Sequence, residues 1–141
     1  MSHSPDFESS PGGISKRAAQ RLIQRALVLA GRNRDVRQHI READLTSVWA
    51  IEDWRLEWAV SIRRGKFDFD RRLPGRPDIR VSWPSAEGFF REAGGEGKEA
   101  EPVYEGPPEA RRIWDVVHRA FRAALHELLE NPVDGDGRRL L

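Results

Sequence analysis

The side chains able to do chemistry are few and scattered. His118 and His126 stand eight residues apart on one predicted helix. His126-Glu127 followed by Glu130 looks superficially like a zinc-protease helix, but that motif needs a second His where this chain has Glu130. An ordinary zinc site wants three or four ligands, so no metal is expected. A surface pair between His126 and Glu130 at i, i+4 is the better reading. Asp134-Gly135-Asp136-Gly137 begins like a calcium loop, yet such a loop needs about twelve residues closing on Glu, and no acid follows Asp136. Asp44, Glu52, Asp53, Glu57, Asp68, Asp70 and Asp78 offer acid–base pairs on paper. A catalytic dyad holds one carboxyl in an apolar pocket. The alternation of this chain instead puts its acids on outward faces and turns, where Glu57 and Asp68 or Asp70 would pair with Arg55, Arg63 or Lys66. Gly94-Gly95-Glu96-Gly97 lacks the Lys-Ser/Thr of a phosphate-binding loop. There is no cysteine, so disulfides, thiolate nucleophiles and Cys-type zinc sites are excluded. No catalytic residue and no cofactor is expected.

Two sets of residues remain. Arg17, Arg21 and Arg25 form a stripe at i, i+4, within a segment from Ser9 to Arg34 that has six basic residues and no acid. The plain reading is a solvated face. The sharper one is contact with an anionic membrane surface or an acidic partner. The second set is aromatic: Trp58, Phe67, Phe69, Trp83, Phe89, Phe90, Trp114 and Phe121, with Val60 and Val81 between them. These residues either form a filled core, since aromatics bury much area in a small domain, or line a cavity for an apolar ligand.

The elements that must position these residues follow from periodicity. Ser15 caps a helix with Ala19, Leu22, Ile23, Ala26, Leu27 and Ala30 on one side, and Gly31 is expected to stop it. A shorter helix is expected over Arg34 to Asp44, then a first strand around Val48 to Ile51, with a turn at Glu52-Asp53. Leu56, Trp58, Val60 and Ile62 alternate with polar residues, as do Phe67 and Phe69. Arg64-Gly65 between them is a hairpin signal. It pairs Ile62 with Phe67, Val60 with Phe69 and Ser61 with Asp68, so the turn and the pattern agree on one buried face. Ile79, Val81 and Trp83 make a fourth strand, and Ser85 caps a short helix carrying Phe89 and Phe90, stopped at Gly94-Gly95. Pro102-Val103-Tyr104 suits a short edge strand. Pro108 opens a long last helix whose apolar stripe runs from Ile113 through Leu128, ending at Glu130 before Asn131-Pro132.

The bulk numbers bound the class. The chain of 141 residues suits one domain, with 38% apolar and 33% charged residues. Lys+Arg 24 against Asp+Glu 23 gives +1, which argues against a dedicated nucleic-acid binder. The first residues do not resemble a signal peptide, and the longest apolar run, from Ala26 to Ala30, is far short of the roughly 20 residues of a membrane span. A cytoplasmic protein is expected, with residues 1–13 a disordered tail, 14–131 one domain and 132–141 a flexible tail.

The order of elements resembles the sterol carrier protein two family. The residues that match are Trp58 to Ile62, Gly65-Lys66, Phe67 and Phe69, Pro77-Asp78-Ile79, Val81, then Ser85, Phe89 and Gly94-Gly95. The chain departs from the family in its unusually long final helix and in the brief Val103-Tyr104-Glu105-Gly106 strand. The resemblance implies an apolar tunnel for sterols, fatty acids or acyl-CoA and no enzymatic centre, with the inward aromatics as tunnel wall.

The expected fold is therefore α+β, an antiparallel meander of four or five strands with N-terminal helices and a long C-terminal helix covering one face. The expected function is non-catalytic binding or transfer of an apolar lipid-like ligand. The set expected to line the site is Trp58, Val60, Phe67, Phe69, Val81, Trp83, Phe89, Phe90, Trp114 and Phe121, with Arg17, Arg21 and Arg25 as surface-anion contacts. The alternatives are a homodimeric or other assembly module with a filled core, and a small pocket enzyme, which would need polar groups converging inside.

Overall fold

The computed structural model describes residues 15–72, 75–93, 102–132 and 138–139. The N-terminal tail, Gly94-Gly95, the Asp134–Asp136 segment and most of the C-terminal tail lie outside them.

Helix α1 (Lys16–Arg32) starts where Ser15 accepts the Ala18 N–H on its Oγ at 3.1 Å. Its buried side is Ala19, Leu22, Ile23, Ala26, Leu27 and Ala30, as the periodicity predicts. Gly31 does not end it. The break comes at Asn33, whose N–H bonds back to Ala30 and whose side chain accepts the Val36 N–H, capping helix α2 (Arg34–His39). Gly31 serves another purpose: a Cβ there would stand 2.6 Å from Cδ1 of Phe67, so the glycine lets helix and sheet approach.

Helix α2 is shorter than expected: it ends at His39, the chain turns where the Ala43 N–H donates to the Ile40 carbonyl at 3.0 Å, and strand β1 (Asp44–Ile51) begins four residues before Val48. Ser47 hides the alternation. It is 2% exposed on the core face, where its Oγ donates to the Val60 carbonyl at 2.9 Å and accepts Trp49 Nε1–H at 3.0 Å. Leu45, Ser47, Trp49 and Ile51 thus face inward.

Strands β2 (Leu56–Arg63) and β3 (Lys66–Asp70) form the expected hairpin, with Ile62 opposite Phe67, Ser61 opposite Asp68 and Val60 opposite Phe69. Arg64 at φ 49° and Gly65 at φ 81° make its two-residue turn, both left-handed as such a hairpin requires. Strands β4 (Ile79–Trp83) and β5 (Val103–Glu105) complete one sheet in the order β3-β2-β1-β4-β5.

The sheet is not the antiparallel meander expected. β1, β2 and β3 are one, but β4 does not lie beside β3. It pairs with β1 in parallel, Ser47 beside Ile79 through Ile51 beside Trp83, so the sheet is mixed. Local bonds hold β4 there. The Asp78 N–H donates to the Thr46 carbonyl at 2.8 Å, and Asp78 Oδ2 accepts the Thr46 N–H at 2.8 Å and its hydroxyl at 3.0 Å. At the far end the Glu52 N–H donates to the Trp83 carbonyl at 2.9 Å.

Helix α3 (Ala86–Ala93) is capped twice, by Ser85 Oγ on the Gly88 N–H and by Asp53 Oδ1 on the Ala86 N–H. Helix α4 (Pro108–Glu130) runs its full expected length and packs along α1. The helices cover one sheet face, and the core lies between. No helix among the described residues is long and apolar enough to cross a membrane.

Candidate functional site

The core is centred on Trp49. Its ring lies 5.0 Å from Phe121 and 5.9 Å from each of Trp58, Trp83 and Trp114, centroid to centroid. Phe89 of α3 closes the group, 5.0 Å from Trp83, 5.9 Å from Phe121 and 6.0 Å from Trp58. His118 sits inside it, stacked on Trp114 at 4.2 Å. Trp49, Val81, Trp83 and Phe121 are all at most 1% exposed. Below Trp83 the space is filled.

Beside Trp58 it is not. A pocket of about 330 Å³ opens between the middle of α1 and the β2–β3 edge. Gln20, Ile23, Gln24 and Leu27 form the helix wall, and Leu56, Trp58 and Phe69 the sheet wall. Glu57, Asp70 and Arg71 stand at the polar side. Its volume falls at the lower end of the range of about 300–1,000 Å³ usual for small-molecule sites. Trp58 is 6% exposed, and its indole Nε1–H is buried without a hydrogen-bond acceptor.

Of the ten residues expected to line a ligand site, Trp58 and Phe69 line this pocket. Val60, Val81, Trp83, Phe89, Phe90, Trp114 and Phe121 are packed in the core, and Phe67 is half-buried against Gly31. Gln20, Ile23, Gln24, Leu27 and Leu56 are pocket residues that the sequence reading misses. Their signal is present in part: Ile23 and Leu27 share a helix side with Gln20 and Gln24, so that side is apolar with a polar border. Arg17 and Arg21 are exposed and Arg25 is half-buried.

The charged groups behave as an outer face. His126 and Glu130 form their i, i+4 pair at 3.3 Å. Glu57 corrects an expectation: it pairs with Arg80 on β4 at 3.0 Å rather than with Arg55, Arg63 or Lys66. Arg80 also reaches Glu52 at 3.3 Å. The hydrogen bond to Glu57, with the charge of both carboxylates, raises the Arg80 pKa above its ordinary value. Arg80 can span to Glu57 because β4 lies on the opposite side of β1 from β2, a neighbour relation that alternation does not encode. Among the described residues no cluster of His, Asp or Glu could hold a metal ion.

No protein-family model matches the sequence, and no curated protein matches it. Solved structures do match in fold. A Thermus thermophilus protein described as a sterol carrier candidate aligns with TM-score 0.54 and 12% identity, over 85% of this chain and 94% of that one. The sterol carrier protein two domain of UbiJ, a ubiquinone synthesis protein, aligns with TM-score 0.50 and 10% identity, over 73% of this chain and 94% of that one. A stereoselective inverting sec-alkylsulfatase from Pseudomonas sp. aligns with TM-score 0.43 and 16% identity over 60% of this chain, which spans 13% of that enzyme's length. In fold, this chain is similar to the sterol carrier protein two family.

Proposed function

We propose that this protein binds or transfers an apolar, lipid-like molecule of the fatty-acyl or sterol class without converting it chemically. The observation that carries this reading is the pocket beside Trp58. It is apolar on both walls through Ile23, Leu27, Leu56, Trp58 and Phe69, and polar at its border through Gln20, Gln24 and Arg71. That arrangement suits an apolar body with one polar end. The fold likeness to the two sterol-carrier structures supports the same class. The carboxylates at the border support binding over chemistry: Glu57 is tied to Arg80 and Asp70 accepts the Arg71 N–H at 2.6 Å, and both are exposed. A solvated carboxylate lacks the apolar surroundings that tune an acid for catalysis.

Displacement of a fluorescent fatty acid, together with native mass spectrometry after gentle purification, tests this. One ligand per chain and saturable displacement are expected. A ligand-free mass with no displacement at micromolar concentrations would sink the proposal.

A further inference from the structure

A second concavity lies at the other end of the α1–β3 seam. Arg32 from the end of α1, Arg34 and Arg37 from α2, Arg41 after it and Arg64 from the hairpin turn line a depression of about 590 Å³, with Gln38 and Gly65. No acidic residue lines it among the described residues. None of the five guanidinium groups forms an ion pair among the described residues. The nearest acids in sequence are Asp35, Glu42 and Asp44, and Asp44 Oδ1 already accepts the Arg64 N–H at 3.0 Å.

The cluster is assembled by the fold. Asn33 joins α1 to α2 by capping the second helix as the first ends. Gly65 lets the hairpin tip press on the chain at Arg41, where a Cβ would stand 3.0 Å from the Arg41 carbonyl oxygen. This contact brings Arg64 beside Arg37 and Arg41, more than twenty residues away in sequence. The site is separate from the apolar pocket. Leu27 and Arg32 are about 8 Å apart along the helix axis, and the contact of Gly31 with Phe67 lies between them.

Five like charges around one concavity repel each other, and a multiply charged anion relieves that repulsion. The guanidinium fork also matches phosphate oxygens in pairs, which a lysine cluster would not do. From these residues we infer that the depression is a binding site for a phosphate-bearing anion with more than one negative charge. The inference does not rest on lipid binding in the apolar pocket. A soluble molecule and a lipid headgroup can both present such a phosphate, and the test separates the two.

The full chain is titrated with inorganic pyrophosphate by calorimetry at low salt. It is separately sedimented with vesicles of phosphatidic acid in phosphatidylcholine, and with phosphatidylcholine alone. Saturable pyrophosphate binding is expected, weakened roughly tenfold or more by Arg37→Gln with Arg64→Gln and unchanged by Arg112→Gln with Arg119→Gln, two exposed arginines of α4. Sedimentation with phosphatidic acid alone, lost in the same Arg37/Arg64 variant, supports the site and assigns the phosphate to a headgroup. Arg34→Gln with Arg41→Gln repeats the test should the first variant melt early. Absence of binding in both arms overturns the inference. So does binding that survives both pairs of substitutions in folded protein.

Discussion

Ser47 shows how one residue can mislead a reading of sequence and still hold a core together. A polar residue between Leu45 and Trp49 breaks the apolar alternation, so the start of β1 and the inward direction of Trp49 were not legible. The structure gives Ser47 two partners, the Val60 carbonyl and the Trp49 indole N–H. Removing the hydroxyl leaves the indole donor of Trp49, the central ring of the core, buried without that acceptor. Ser47→Ala is expected to destabilise the fold by about 1–3 kcal/mol, read from urea unfolding. The same variant should shift the near-ultraviolet circular dichroism of the Trp cluster. A midpoint equal to that of the parent protein would show that the two bonds contribute nothing net. Residue types also explain why the candidate site was only partly legible. Aromatics stand out in a sequence for their size, and most of them here fill the core. The open pocket instead takes its helix wall from Gln20, Ile23, Gln24 and Leu27, whose periodicity reads as ordinary packing against a sheet.

At the scale of elements, what was legible was whatever periodicity and turns encode together. The β2–β3 register followed from alternation plus Gly65 and agrees with the structure pair for pair. The side of β1 on which β4 lies did not follow, because alternation assigns a face and says nothing about a neighbour. The residues that decide it are Asp78 and Thr46, at the start of the parallel pairing. Asp78→Ala removes one acceptor serving two donors, at an exposed site where water replaces part of the loss. A cost of about 1–2 kcal/mol is expected. Hydrogen exchange offers the sharper measurement: the Thr46 amide should lose protection, while amides of the β2–β3 hairpin should be slowed as before. Equal loss of protection across the sheet would mean that Asp78 acts on global stability and not on the placement of β4.

For the molecule as a whole, the division that matters is between a closed aromatic centre and an open seam. Both lie on one sheet face, but different helices cover them. α4 presses Trp114, His118 and Phe121 onto Trp49 and Trp83, whereas α1 stands off β2 and β3 at the pocket. Substitutions on the two sides should therefore separate stability from binding. Phe121→Ala empties part of a region that has no slack, and about 3–5 kcal/mol of stability should be lost. Gln24→Trp acts on an exposed helix position that lines the pocket, where a ring can lie over Phe69 and occupy the space a ligand would take. Its stability should change by no more than about 0.5 kcal/mol, while fatty-acid displacement weakens by about tenfold or more, the effect of losing roughly 1.4 kcal/mol of binding free energy. Thermal melting and fluorescent displacement on the same preparations read both quantities. Displacement that survives Gln24→Trp unchanged would place the ligand elsewhere in the molecule, and a large fall in melting temperature from that variant would show that the seam is closed by packing the structure does not display.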